Sequence, residues 1–473
     1  MLGEILRPEE KGSEPVEMEA GEREKRLSVL WKLSWPAIVE QMLSMLVSYA
    51  DTAMVGALGA EATAAVAVVS SSIWTVGGIL ASLGVGYSVQ VANAVGAQDE
   101  ARVRRIIRQG ALAAVVVGLL VLCVMQLLAS SIPRWLGAEP EVYPLAVSYL
   151  RWVTLGLPFS TALAIFSAIL RCTGDTRTPL MLNGLSNVVN IGLNFLLIYP
   201  TRSWYGLTIP GAGLGVSGAA IGTAASVALA GCLMIRHTFF RRGHPMSLGP
   251  EERYRPDGEI IRTAIGLGLP CMWERMTINL GQILMTGLVA HVGTVALAAN
   301  HIAVTVEGIC YLPAFGVSFA ATALVGQAVG AGSRENARAY GVLSGWLGLW
   351  MSVGTGGLLF LLAPWLAGLF SPDGAVVAET VKVLRIVAFA EPCFGLSIVL
   401  SGALRGASDV RFPMVCSLGS MWGVRMVAAN VLVYQFGWGL EAIWLSMAAD
   451  LVLRGILCTL RWHSPRWERL AGL

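Results

Sequence analysis

The chain of 473 residues is 55% hydrophobic and only 13% charged, about half the charged share of a soluble globular protein. A soluble chain of this length would divide into about three domains with polar surfaces; here, apolar stretches long enough to cross a ~30 Å hydrocarbon core recur from end to end. The net charge of +3 gives no reason to expect a nucleic-acid partner, and the eight cysteines form no CxxC, so neither a disulfide framework nor a zinc site is implied.

In chain order, residues 1–26 mix acids and bases without an apolar core, the composition of a disordered cytoplasmic tail and not of a signal peptide. Apolar runs between charged punctuation then predict twelve transmembrane helices, at 29–57, 62–95, 109–131, 144–170, 179–200, 212–236, 266–291, 295–330, 340–364, 378–403, 413–436 and 439–460. The first six fall in a lobe over 27–236, a linker follows at 237–262, the second six make a lobe over 263–460, and 461–473 is a closing cytoplasmic tail. One alternating set of connections carries Arg102, Arg104, Arg105 and Arg108, then Arg171 and Arg177, then Arg241, Arg242, Arg253, Arg255 and Arg262, then Arg334 and Arg338, then Arg405 and Arg411. The opposite connections hold little beyond Arg134 and Arg202. Positive charge collects on the cytoplasmic side, so both termini and the linker are expected there, in a multi-pass protein of the inner (plasma) membrane.

The two lobes are copies. Val91–Ala97 (VANAVGA) parallels Val325–Ala331 (VGQAVGA), and Leu170–Pro179 (LRCTGDTRTP) parallels Leu404–Pro413 (LRGASDVRFP), both at an offset of 234 residues. The same offset joins Pro36 to Pro270, Glu40 to Glu274 and Pro158 to Pro392. Six helices per copy is an even number, so both copies enter the membrane from the same side. They are expected as two six-helix bundles related by a pseudo-two-fold axis along the membrane normal, with a site between or within them near the midplane.

Seven ionisable residues lie well inside the predicted spans: Glu40, Asp51, Glu274, Arg275, Glu307, Glu391 and Arg425. Each would cost roughly 2.5–3.5 kcal/mol or more facing lipid at the bilayer centre, so they face a cavity or a partner. With five acids against two arginines, simple pairing neutralises two acids at most, and the rest need a proton, a bound cation or water. Asp51 follows Glu40 by 11 residues, about three helical turns, so the two share a face. The repeat mate of Asp51 is Met285, so a scaffold role common to both lobes does not account for it. Asn190 and Asn194 are i, i+4 neighbours that present their amides on one helix face. Glu391 and Arg425 should lie at similar depth, either as an ion pair locking helices or as part of a working site. The arginines flanking Asp175 and Asp409 are expected to pin cytoplasmic helix ends, with those aspartates pairing locally. No HExxH, Walker-type loop or GxSxG occurs, which speaks against an enzyme and against ATP-driven transport by this chain alone.

The motifs Trp35–Gln41 (WPAIVEQ), Tyr49–Gly56 (YADTAMVG), the two Leu-Arg…Asp…Arg…Pro loops, and Leu312–Gly316 (LPAFG) running on to Val325-Gly-Gln327 resemble the multidrug and toxic compound extrusion (MATE) family of secondary transporters, over residues 30–460. The resemblance implies a twelve-helix fold in two bundles and export of organic, often cationic, compounds in exchange for protons or sodium. It implies a cation- or proton-binding set of Asp51, Asn190 and Asn194 in the first lobe, and of Glu274 and Glu391 in the second. Glu391 stands one turn before Phe394, where some members place an aspartate. Glu40, Gln41, Arg425 and Glu307 are expected to line the substrate cleft or gate it. No cofactor, catalytic residue or metal site is expected, beyond the transported proton or sodium. The partners are a small organic substrate and the lipid bilayer, and the chain is expected to be a monomer. A flippase for a lipid-linked precursor is the alternative; such relatives usually carry extra helices and a more basic cleft.

Overall fold

The computed structural model describes residues 20–204, 207–240 and 255–473; of the tail expected at 1–26, residues 1–19 lie outside the described residues, as does the middle of the linker, 241–254, whereas residues 20–26, expected to be disordered, begin the first helix, with Arg26 buried. The first lobe comprises α1 (Ala20–Gly56), α2 (Ala60–Gly96), α3 (Glu100–Leu128), α4 in two pieces (Tyr143–Thr154 and Leu157–Cys172), α5 (Arg177–Leu197) and α6 (Gly215–Phe240). An antiparallel hairpin, β1 (Pro200–Trp204) and β2 (Leu207–Ala212), joins α5 to α6. The second lobe repeats the order: α7 (Gly258–Val292), α8 in two pieces (Thr294–Cys310 and Leu312–Gly330), α9 (Arg334–Phe370) and α10 in two pieces (Gly374–Ala388 and Glu391–Gly406). Then come α11 (Arg411–Leu418 and Val427–Tyr434, joined by a π-helical segment Gly419–Met426) and α12 (Leu440–His463). All twelve predicted spans are present.

Proline sets the breaks. It lacks an N–H and clashes with the carbonyl four residues back, so a helix restarts with proline in its first turn. Pro158 and Pro392, repeat mates, sit at the start of the second pieces of α4 and α10, where the chain bends by 49° and 53°. Pro313 does the same in α8. Eight helices among the described residues are long and apolar enough to cross a membrane singly, and the two bent pairs raise that to ten. The remaining two spans, α1 and α7, are those that carry Glu40 with Asp51 and Glu274 with Arg275.

Large apolar side chains such as Leu127, Trp350 and Leu361 stand exposed around the outside, as a lipid-facing surface requires. Each lobe has its own apolar core, and a third core runs across the lobes, from Leu30 and Leu33 on α1 to Val317 and Leu324 on α8 and on to Trp462. The segment assigned to the closing tail joins that core. Trp467, fully buried on a short helix (Arg466–Ala471), stacks on Trp462 at 4.3 Å and donates its ring N–H to the Trp462 carbonyl at 2.7 Å. Beside it, Glu468 is ion-paired with Arg334 at 2.7 Å and with Arg338.

Candidate functional site

Helices α1 and α5 lie side by side in matching register. Glu40 meets Asn183 and Asp51 meets Asn194, a spacing of 11 residues on both helices, so the shared face expected of Glu40 and Asp51 is the face toward α5. Asn194 Nδ2 donates to Asp51 Oδ1 at 2.7 Å. Asn190, one turn earlier, turns its amide nitrogen to Asp51 (2.7 and 3.2 Å to the two oxygens) and its oxygen to Thr223 Oγ1 on α6 at 3.2 Å; the opposite orientation would set its oxygen against acceptors alone. Both asparagines are buried, at 4% and 0% exposure. The carboxylate thus meets neutral amide donors and no ion pair among the described residues. α6 comes close here because position 222 is glycine: any side chain at Gly222 would overlap Asn194 Oδ1. Thr223 also lines a cavity of about 120 Å³ at the bend of α4, bounded by Met125, Thr154 and Ser160, ample for water.

Glu40 has a charged partner. It accepts from Arg171 at 2.5 Å and from Asn183 at 2.7 Å. In the second lobe Glu274 accepts from Arg405 at 2.8 Å and from Ser417 at 2.9 Å. Glu40 and Glu274, Arg171 and Arg405, and Asn183 and Ser417 are all repeat mates, so one device occurs twice. This corrects two expectations. Arg171 and Arg405 reach inward to glutamates instead of pinning only local turns. Asp175 instead caps the start of α5 through Thr178, and Asp409 pairs with Arg461 of α12 at 2.8 Å. The arginine supply is therefore larger than the seven in-span residues suggested, and the acids left without an ion pair are Asp51, Glu307 and Glu391.

Glu391 is fully buried at the first turn of the second piece of α10, and neither of its oxygens has a hydrogen-bond partner among the described residues. Glu307, buried on α8, lies near enough for the two carboxylates to feel each other's charge. Arg425 lies within electrostatic reach of Glu307, and its Nη2 donates weakly to Gln282 at 3.5 Å. Of the two readings open for Glu391 and Arg425, the direct ion pair does not form. Arg275 stacks over Phe315, with 5.4 Å to the ring centroid. Gln41 stays half-buried beside Glu40 without a side-chain hydrogen bond among the described residues.

A buried charge pair in the second lobe was not among the seven in-span residues singled out in the sequence. Asp450 and Arg454 lie inside the predicted twelfth span and are joined in a bidentate ion pair, at 2.8 Å for both contacts. Their i, i+4 spacing within an apolar run was the available signal.

The MatE family model matches residues 36–196 and again 270–431, two copies whose starts carry the same offset of 234 residues as the repeat. The chain belongs to the MatE family of transporters. Its MatE relatives include a probable multidrug resistance protein NorM of Thermotoga maritima, 30% identical over 447 residues that cover 94% of each chain. The uncharacterized transporter YisQ of Bacillus subtilis is 26% identical over 439 residues, covering 93% of this chain and 94% of that protein. Among solved structures, that of MATE in complex with MaL6 matches with a TM-score of 0.87 at 20% identity, over 95% of this chain and 98% of that one. This MatE chain is a multi-pass membrane transporter and not an enzyme. Its interior carries carboxylates, Asp51, Glu307 and Glu391, that have no ion pair among the described residues.

Proposed function

We propose that this chain exports organic, cationic compounds in exchange for protons or sodium, with Asp51, Asn190 and Asn194 as the first-lobe coupling site. The observation that carries this is Asp51 itself, a half-buried carboxylate near the outer end of α1 that is held by neutral amides at 2.7 Å. A charge so placed is stabilised when a cation or proton joins it. Glu391 and Glu307 form the second-lobe site. Glu274, whose two oxygens are both occupied here, joins that site only when Arg405 releases it, and the Glu40 mate acts as the matching latch with Gln41 beside it.

Alternating access finds support in the seam between the lobes. Side chains at Gly96 and Gly330 would overlap the backbone carbonyls of Gln327 and Asn93, and these four residues are two pairs of repeat mates, so α2 and α8 cross with backbone on backbone. Gln327 also donates to the Cys172 carbonyl at 2.7 Å. Away from that end the α2–α7 seam widens. A methyl group at Gly86 would overlap the Ala264 carbonyl, one at Gly268 would sit 3.0 Å from Ser82 O, and one at Gly78 would sit 3.5 Å from Arg275 Cβ. The tight end carries the arginine-rich connections, so the reading is an outward-facing state closed toward the cytoplasm, with both termini on that side of the plasma membrane. Neutralising Asp51 changes the cost of closing water out around it, the differential interaction that a shift between states requires. The acids without an ion pair among the described residues, Asp51, Glu307 and Glu391, outnumber the in-span arginines without one, Arg275 and Arg425, which favours the antiporter over the flippase alternative. A single chain contains both lobes, which supports a monomer.

The test is accumulation of ethidium in cells expressing wild type, Asp51→Asn or Glu391→Gln at equal levels, with pH and sodium gradients imposed separately. Lower accumulation in wild type under one gradient, lost in Asp51→Asn, supports the proposal and names the ion. Unchanged accumulation under both gradients overturns organic-cation export.

A further inference from the structure

The first and second lobes depart from symmetry in different helices. The first does so at Asp51, Asn190 and Asn194, whereas the second adds Arg425, Asp450 and Arg454 and a π-helical segment, Gly419–Met426, in α11. Its first-lobe counterpart, α5, is α-helical throughout Arg177–Leu197. π segments are rare and concentrate at functional sites, and this one is tied down from outside. Arg454 Nε is shared between Asp450 Oδ1 and Ser420 Oγ, both at 2.8 Å, while Nη2 binds Asp450 Oδ2 at 2.8 Å. Asp450 and Ser420 are 0% and 2% exposed. Ser420 is the second residue of the π segment and Arg425 is near its end.

Arg425 is therefore delivered by a segment whose start is fixed to α12. The charged groups within electrostatic reach of Arg425 are Glu307 of α8 and Asp450 and Arg454 of α12, and Glu307 in turn is within reach of Glu391 of α10, whose two buried oxygens have no hydrogen-bond partner among the described residues; from α7, Gln282 accepts from Arg425 at 3.5 Å. Asp450 and Arg454 cancel each other. Arg425 offsets one of the two glutamates, and one carboxylate charge is left.

We propose that the Asp450–Arg454–Ser420 clamp positions Arg425 toward Glu307, so that Arg425 offsets one charge of the Glu307–Glu391 pair and leaves one carboxylate uncompensated. This rests on the second-lobe site proposed above. Asp450, Arg454 and Ser420 act through Arg425 and touch neither glutamate's cargo, which makes them positioning residues.

The test uses dicyclohexylcarbodiimide, which modifies protonated carboxyl groups in apolar surroundings, on the purified full-length protein at one fixed pH, with Glu307 and Glu391 followed by peptide mass spectrometry. Arg425→Gln should raise labelling of the pair about ten-fold, the effect of removing one nearby opposite charge. The double variant Asp450→Asn/Arg454→Gln keeps net charge and size yet loses the clamp, and should raise labelling in the same direction without touching either glutamate. Ser420→Ala should do so partially and Ser420→Thr should not. Wild-type labelling in the double variant, at an unchanged melting temperature, overturns the positioning role. So does wild-type labelling in Arg425→Gln. Ethidium efflux by the same proteins separates this from the function proposed above: if labelling shifts while Glu391→Gln exports normally, the clamp stands and second-lobe coupling falls.

Discussion

Gly96→Val is the most direct perturbation of the seam. The valine side chain would enter the space of the Gln327 carbonyl, and because that obstacle is backbone on a buried helix, no rotamer change relieves it. Overpacking of this kind costs typically 1–3 kcal/mol, and separating α2 from α8 also stretches the 2.7 Å bond from Gln327 to the Cys172 carbonyl, worth about 1 kcal/mol. Taking about 2 kcal/mol as the bias against closure, the ratio of cytoplasm-open to closed protein should rise roughly thirty-fold. The chain carries its own reporter. Cys172 is buried between Ala92 of α2 and Ala323 of α8, so its alkylation by N-ethylmaleimide, followed by mass spectrometry, measures opening at that end. Gly96→Val and Gly330→Val should both speed the modification of Cys172 by about that factor, and Gly77→Val, with nothing within 4 Å, should not. If Gly96→Val protein with a wild-type melting temperature modifies Cys172 no faster than wild type, the α2–α8 crossing is not the closing contact.

Arg171→Ala should lower stability by about 3–5 kcal/mol, because it leaves Glu40 buried and unpaired; Arg171→Met combined with Glu40→Gln should recover most of the loss, read as melting temperature in detergent. Gly222→Ala should displace Asn194 and weaken the hold on Asp51, raising the concentration of driving ion needed for half-maximal transport about ten-fold, whereas Gly192→Ala, on an open face of α5, leaves it unchanged. Trp467→Ala removes a stacked, hydrogen-bonded ring from the core and should cost about 3–5 kcal/mol, while Glu259→Gln, half of an exposed pair with Arg102 at 3.4 Å, should shift the melting temperature little.

Spans, bends and the duplication were legible because hydropathy, proline and a constant offset are local signals. The Asp51–Asn190–Asn194 cluster was legible too, since 11-residue and i, i+4 spacings fix a helix face whatever the partner. The partners of Glu40 and Glu274 were not, because Arg171 and Arg405 look like loop charges until the length of the arginine side chain carries the guanidinium one turn into the span. Thr223 gave no signal, as a threonine in an apolar helix normally bonds its own backbone; here the Ala219 carbonyl at 3.0 Å and the Asn190 oxygen at 3.2 Å share its single hydroxyl proton. The π segment had none either, because nothing in its eight residues distinguishes it from an α-helix.

Trp467 has a consequence for biogenesis. It belongs to the same core as Leu30 and Leu33 of α1, yet it leaves the ribosome only after all twelve spans have been made. The seam core stays incomplete until the last helix docks, so newly inserted chains pass through a stage in which the two bundles are joined with an open base at the end that the proposed orientation turns to the cytoplasm. Quality-control proteases working from that side would meet the protein at its most vulnerable in that interval, and chains that stall before Arg466 would never leave it.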